Sequence, residues 1–255
     1  MDDPREAKRL DAKVDPDQFI RDFLHPVLQS DHQKIVDVGC GAGAIISTLA
    51  KKFPEKECCG VDISGARIAE AKRKTDSLEN VTFYESSIYE IPIETDSVDI
   101  VYTRFLLEYL KEPVKAIAEL GRIIKPGGRV VLQDLDGQLL FQYPYEVPEI
   151  KKVFDVLRET TGFDPYIGRK LYHYSRKAGL SFIDIDIRPY HLFVGKIDDF
   201  NYELWNMKFE IATPQFAEAL GSYKEAELLK EKYMNFLKSE DTFLYSSLFT
   251  VYLSK

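Results

Sequence analysis

Short apolar runs alternate with amphipathic stretches along this chain. Five runs have the length and composition of strands: 34–39, 57–61, 81–85, 98–103 and 128–134. Between them apolar residues return every three or four positions. That spacing predicts helices over 43–52, 64–75, 105–109 with 113–123, and later 148–160 and 167–178. Strand and helix in alternation predict a parallel sheet covered on both faces, since parallel neighbours need a crossover connection. Pro126-Gly127-Gly128 reads as a turn ahead of the fifth run, because proline fixes φ and glycine permits positive φ. Gly179 ends a helix whose last turn carries Arg176 and Lys177. Phe182-Ile-Asp-Ile-Asp-Ile-Arg188 alternates with period two, predicting a strand with one wetter face, and 243–253 reads as a last strand. Between those two strands, roughly 197–239 is helical, with Phe200, Leu204, Met207 and Phe209 at helical spacing. Phe19, Ile20, Phe23 and Leu24 mark one more amphipathic helix. The division expected is an N-terminal helical lid over 1–30 and a main domain over 31–255, with a helical insertion at about 197–239.

Composition narrows the picture only slightly. The 255 residues suffice for a buried core, and the apolar fraction of 45% is ordinary for a globular chain. A net charge of −8 weighs against a nucleic-acid partner, because phosphate binding wants a basic face. Cys40, Cys58 and Cys59 are too few and too clustered for a disulfide framework. The charged start of the chain lacks a signal h-region, and no apolar run reaches spanning length. A cytoplasmic protein without a membrane span is expected.

Chemistry concentrates at Val36-Asp37-Val-Gly39-Cys-Gly41-Ala-Gly43-Ala-Ile45. This is a strand ending in a glycine turn that opens a helix. Gly39 lets the chain turn, Gly41 removes a Cβ from the ligand's path, and Gly43 lets the helix pack on the strand. Helix N-terminal amides there favour a carboxylate or phosphate. Asp62 ends the second strand about twenty residues on, where an acid accepts from both ribose hydroxyls. A nucleoside is the ligand these residues suit. A dinucleotide is an alternative, since Gly39-Cys-Gly41-Ala-Gly43-Ala44 also reads as Gly-x-Gly-x-x-Ala.

Four ordered motifs give the chain a family resemblance. Asp37-Val-Gly-Cys-Gly-Ala-Gly43, Val61-Asp62-Ile63-Ser64, Phe105-Leu-Leu-Glu-Tyr109 and Leu120-Gly-Arg-Ile-Ile-Lys-Pro-Gly-Gly128 resemble those of class I S-adenosylmethionine-dependent methyltransferases. The nearest branch is that of ubiquinone/menaquinone-biosynthesis and small-molecule enzymes. The resemblance is strong over 34–135 and weak toward both ends. It implies a Rossmann-like three-layer α/β sandwich with a seven-stranded, mostly parallel sheet of order 3-2-1-4-5-7-6, strand seven antiparallel, plus helical lid elements. It implies S-adenosyl-L-methionine as methyl donor and S-adenosyl-L-homocysteine as product. Asp37, Gly39, Gly41 and Gly43 then belong to the first cofactor loop, Asp62 binds the ribose and Ile63 packs on adenine. Ser86, Ser87 and Ile88 reach the adenine, and Arg104 lies beside the methionine carboxylate.

Two positions depart from the family pattern. Ser87 stands where an acid is usual, a change of about 1 kcal/mol if a neutral bond replaces a charged one. Tyr109 stands where histidine is common. Arg9-Leu-Asp-Ala-Lys13 resembles a segment that closes over the cofactor in relatives, with Lys13 in place of a common glutamine; by charge alone it reads as a solvated run.

In-line methyl transfer needs alignment and exclusion of water, a base only where the nucleophile is protonated, and no metal. His173 and His191 are the candidate bases, each also readable as a packed or surface residue. Asp134 and Asp136 end the fifth strand, and either touches substrate or caps the next turn. Phe141, Tyr143, Tyr145, Tyr166, Trp205 and Phe209 supply aromatic walls for an apolar, planar or cationic small molecule, or form lid core. Arg169 pairs with an acidic substrate group or braces the lid. No Cys/His cluster has metal-ligand spacing, and no Asn-Pro-Pro-Tyr follows strand four. The rival readings are an NAD(P)-dependent oxidoreductase, and an S-adenosylmethionine-binding protein that acts on RNA or protein or transfers nothing.

Overall fold

The computed structural model describes residues 5, 9, 12–144 and 147–255. Tyr145, and Leu10 and Asp11 of the N-terminal segment, lie outside the described residues. Seven strands form one sheet: β1 (Lys34–Val38), β2 (Glu57–Asp62), β3 (Val81–Glu85), β4 (Val98–Arg104), β5 (Ile124–Tyr143), β6 (Ser181–Val194) and β7 (Phe243–Ser254). Their order is β3-β2-β1-β4-β5-β7-β6, with β7 antiparallel to both neighbours, the topology the resemblance implies.

The central strands are apolar throughout because both of their faces are covered. Alternation sends Val36, Val38 and Val101 to one face, where they meet Ala116, Ile117 and Leu120 of helix α4 (Pro113–Ile123) and Leu171 of α6 (Leu171–Lys177). Ile35, Ile100 and Tyr102 face the other way. They meet α1 (Pro16–Phe19, running into a π-helical turn Ile20–Leu24), α2 (Ala44–Lys52) and α3 (Gly65–Lys74). The amphipathic Phe19, Ile20, Phe23 and Leu24 are therefore core, as their spacing predicts. Asp99 ties the amino-terminal edge together, accepting from Gln33 N at 3.0 Å, Lys34 N at 2.8 Å and Lys125 Nζ at 2.7 Å.

A third core lies beyond the sheet's carboxyl edge. It joins α5 (Pro148–Thr160), α7 (Asp199–Leu220) and α8 (Tyr223–Leu237) through Phe154, Trp205, Phe209, Tyr233 and Leu237. Leu139 of β5 and Leu244 of β7 belong to this core too, so the two strands run out of the sheet to carry it. The predicted 197–239 helix is thus a pair, broken at Gly221 with φ +80° and restarted by the Ser222 cap.

Three expectations need correction. The fifth strand is twenty residues long instead of 128–134: Pro126-Gly127-Gly128 makes a bulge inside its start, and its end continues to Tyr143 beside β7. Its register on β4 jumps from Val98–Ile124 to Ile100–Arg129. The helix expected over 105–109 is a single 3-10 turn, Leu107–Tyr109, following Phe105 at φ +52°. β6 lacks the buried face its alternation implied: it is an edge strand whose Phe182, Ile183, Ile185 and Ile187 are 37–55% exposed. No helix among the described residues is long and apolar enough to cross a membrane.

Candidate functional site

The carboxyl ends of β1, β2 and β4 converge on the glycine loop. Gly39 N and Cys40 N donate to Val61 O at 2.7 and 3.1 Å, which pins the loop to β2. A Cβ on Gly43 would press on Ala71 and Phe83 at 3.0 and 3.2 Å, so this glycine serves the packing of α2. Gly41 differs: at φ +54°, a Cβ there would meet nothing within 4 Å. Space is held open on that side of the backbone, as close approach by a ligand requires. Asp62 accepts from Gly41 N at 2.8 Å through Oδ2 and from Ser64 N at 2.9 Å through Oδ1. These bonds aim the carboxylate along the edge of the loop. The next side chain, Ile63, is 74% exposed beside it, an apolar surface open to a flat ring.

Asp37, Arg104 and the serines complete this edge. Asp37 is buried on β1, and burial first, with Asp62 adding, pushes its carboxyl up to about 7 against the opposing pull of Tyr102 and Arg104. Arg104 Nε donates to Gln133 Oε1 at 2.9 Å, and Gln133 Nε2 donates to Thr250 Oγ1 at 2.8 Å, so β5 and β7 hold the guanidinium in place. Its Cζ lies 4.1 Å from the Phe105 ring centre. A glutamine within a strand carries no motif, so the sequence alone does not single out Gln133. Ser86 N donates to Asp62 O at 2.9 Å, while Ser87 Oγ accepts from Tyr89 N at 3.2 Å. Ile88 is corrected: its side chain is buried in the core, leaving only its backbone for an adenine.

A second group of side chains gathers where β6 passes under α7. His191 sits in a bulge of β6 at φ +50°, a conformation rare outside glycine and typical of functional positions. Its Nε2 lies 2.8 Å from Lys13 Nζ and its Nδ1 3.4 Å from Ser246 Oγ. Trp205 meets the imidazole edge-on at 5.1 Å, and Tyr190 at 4.3 Å. Burial first, then Lys13, Lys208, Arg9 and Arg104, drives the His191 imidazole well below its ordinary range, so it is neutral near pH 7. Tyr190 also touches Phe105 at 5.6 Å, linking this group to the Arg104 edge. Lys13 is thus half-buried within the site, and the solvated-run reading of its segment is corrected at that residue.

The carboxylates after β4 and β5 are internal. Asp134 is fully buried, accepting from Glu108 N at 3.2 Å and Leu135 N at 2.9 Å, and burial with the Glu108 charge raises its pKa. Glu108, which sequence reasoning missed, is also buried; burial raises it as well, and its Oε2 has no hydrogen-bond partner among the described residues. Asp134 therefore anchors the turn after β4. Asp136 is held by Arg169, whose Nε lies 2.9 Å from both carboxylate oxygens, with Arg169 N adding a bond at 2.9 Å. Arg169 thus braces the chain, with Tyr166 under its guanidinium at 4.8 Å.

Two candidates are not brought in. Tyr143 is 71% exposed at the far end of β5, paired with Phe243. His173 is exposed on α6, where its ring neighbours that of Tyr174 at 6.1 Å. Phe141 stacks on Tyr245 at 5.0 Å, and Phe209 is lid core against Tyr233 at 5.0 Å.

Comparison with known proteins agrees with this geometry. Residues 36–132 match the methyltransferase domain family. An uncharacterized methyltransferase of Schizosaccharomyces pombe is 39% identical over 121 residues, 44% of each chain. The demethylmenaquinone methyltransferase of Staphylococcus aureus is 37% identical over 99 residues, 38% of this chain and 41% of that one. The chain spans less than half the length of these curated relatives. The fold extends further: phosphoethanolamine N-methyltransferase 2 of Haemonchus contortus, solved with S-adenosyl-L-methionine, superposes with a TM-score of 0.57 at 17% identity, over 92% of this chain and 52% of that one. The stretch that matches the methyltransferase domain family, residues 36–132, carries the glycine loop, Asp62 and Arg104.

Proposed function

We propose that the chain is an S-adenosylmethionine-dependent methyltransferase acting on a small molecule, in the cytoplasm, with 197–239 and the segment around Lys13 as the lid, while Phe19–Leu24 of the expected 1–30 lid belong to the core under the sheet. The observation that carries this reading is the Asp62 carboxylate fixed by Gly41 N and Ser64 N, beside open space at Gly41 and the exposed Ile63. That set fits an adenosyl group: an acceptor for ribose hydroxyls, a backbone that can be approached and an apolar seat for the base. The bound donor would supply an electrophilic methyl on a sulfonium. The chain's own work is to hold it, keep Arg104 near its carboxylate, align the acceptor and exclude water. Gln133 and Phe105 fix the Arg104 guanidinium for that task. The lid core of Phe154, Trp205, Phe209 and Tyr233 covers the same edge of the sheet and supports a small acceptor. Three unpaired cysteines suit a reducing compartment.

Calorimetry with S-adenosylhomocysteine tests the reading. Saturable heat is expected for the wild type. Asp62→Ala should weaken binding by at least about 2 kcal/mol, roughly thirtyfold, because two hydrogen bonds to a charged acceptor are lost. No heat at high ligand concentration, or a comparable affinity for NADH, would favour the dinucleotide alternative.

A further inference from the structure

We propose that Glu108 is the base of the transfer and that the acceptor is a neutral hydroxyl compound whose O–H donates to Glu108 Oε2. The inference rests on the methyltransferase reading and names its substrate class. Three observations carry it. The first is place. Glu108 lies in the turn after β4, four residues beyond Arg104. Its N–H donates to Asp134 Oδ2 at 3.2 Å, and the residue before Asp134 is Gln133, which holds the Arg104 guanidinium at 2.9 Å. Glu108 therefore stands next to the corner proposed for the donor's methionine end. Lys208 of α7 faces its side chain from the lid. A base for methyl transfer belongs in such a seam, between the donor and the cover that excludes water.

Second, Glu108 is 2% exposed, and its Oε2 has no hydrogen-bond partner among the described residues. Asp134 is as deeply buried, but both of its oxygens accept from the backbone, Oδ1 from Leu135 N at 2.9 Å and Oδ2 from Glu108 N. One carboxyl of the pair is committed to the fold, and the other keeps an oxygen unbonded. A buried acceptor in that condition is destabilising until a donor reaches it, and a hydroxyl is such a donor. The seam holds another open polar atom. Lys208 Nζ lies 5.0 Å from the Trp205 ring centre, and the buried Trp205 Nε1 has no partner among the described residues. Third, the histidines are placed for other tasks. His191 meets Lys13 through Nε2 and Ser246 through Nδ1, and His173 is exposed on α6.

The charged and titratable groups facing Glu108 are Lys208, Tyr109, Arg9, Asp164 and Asp134, and Asp164 is itself paired with Lys170. Burial first, with Asp164 adding, holds the Glu108 carboxyl above the usual range, while Lys208, Tyr109 and Arg9 oppose the rise. A carboxylate so raised is the better base near neutral pH. In the step, the acceptor's proton passes to Glu108 Oε2 and the O–H electron pair stays on the acceptor oxygen. That oxygen bonds the methyl carbon, and the carbon–sulfur pair returns to sulfur. The carboxylate loses its negative charge as the sulfonium loses its positive one, so the step is balanced. A neutral amine already has a free pair and needs no base, so a base here points to oxygen.

Trp205 is the chain's single tryptophan, and its emission reports on the seam. It is titrated with p-cresol, 4-methylanisole and 4-methylbenzylamine at pH 5.5 and pH 8.5, with S-adenosylhomocysteine present. Saturable change is expected with p-cresol, which at pH 8.5 should bind at least about fivefold more tightly than the other two. Its affinity should rise at least about threefold from pH 5.5 to pH 8.5, because the ionised carboxylate is the stronger acceptor, while that of 4-methylanisole stays flat. In Glu108→Gln, verified folded by its thermal transition, the pH dependence should vanish. Formation of S-adenosylhomocysteine from S-adenosylmethionine and p-cresol should fall at least about a hundredfold in that variant. The wild-type comparison of p-cresol with 4-methylanisole stands even if the variant does not fold. Equal binding of the ether or the amine, no saturable response to p-cresol, no turnover of bound p-cresol, or a pH dependence or rate unchanged in Glu108→Gln would overturn the proposal. Calorimetry with S-adenosylhomocysteine on the same protein separates the two failures: if it binds while p-cresol does not, the acceptor class is wrong and the cofactor reading stands.

Discussion

Individual residues show how far local chemistry can be read before folding is known. Asp37, Gly41 and Asp62 stand at fixed spacing in motifs that read directly off the sequence, and at Gly41 a positive φ gives the backbone reason for glycine. Gln133 and Glu108 were not, since each acquires its role from a neighbour on another strand or turn. Asp37 also makes a prediction. Its carboxyl is held up to about 7 by burial, against an ordinary value of 3.8. The fold therefore favours the protonated acid. This contribution is fully present below the unfolded value and is lost as pH rises through about 7. Between pH 5 and pH 8 Asp37 should cost the folded state about 3 kcal/mol. Urea unfolding at the two pH values checks this: Asp37→Asn should lose about that much less stability over the interval than the wild type. Equal losses would show that Asp37 is ionised in the fold throughout.

At the level of elements, the sheet order and most helices follow from periodicity, while the excess length of β5 and β6 does not. Pro126-Gly127-Gly128 reads as a stop, yet Gly128 lies too close to Asp99 O for a side chain (2.9 Å to an added Cβ), so the chain bulges and continues as strand. At the other end, bulges in β5 after Asp136 and in β6 after Tyr190 flank the same stretch of β7. Past them the three strands carry the third core instead of the sheet's own layers. Because that core is separate, damage to it should remain local. Phe209→Ala removes a ring that is 1% exposed and should cost about 3–5 kcal/mol in the lid. Hydrogen exchange checks this. Amides of α7 and α8 should lose protection while β1, β2 and β4 keep theirs. Uniform loss across the sheet would contradict a separately packed lid.

The whole molecule divides along its carboxyl edge into a half the sequence announces and a half only folding assembles. The glycine loop, Asp62 and Arg104 lie within the stretch matched to the methyltransferase domain family. The second half depends on contacts such as Lys13 with His191, made across 178 positions, which no periodicity or spacing encodes. Aromatic residues at helical spacing told of a lid but not of which rings it would bring to the site, and Tyr143 and Trp205 ended on opposite sides of that distinction. The central claim is that this edge seats an adenosyl group. A crystal structure with S-adenosylhomocysteine tests it most directly. The account predicts both ribose hydroxyls on the Asp62 carboxylate, the adenine against Ile63, and the methionine carboxylate within reach of Arg104. A nucleoside bound elsewhere, or a ribose making no contact with Asp62, would contradict it.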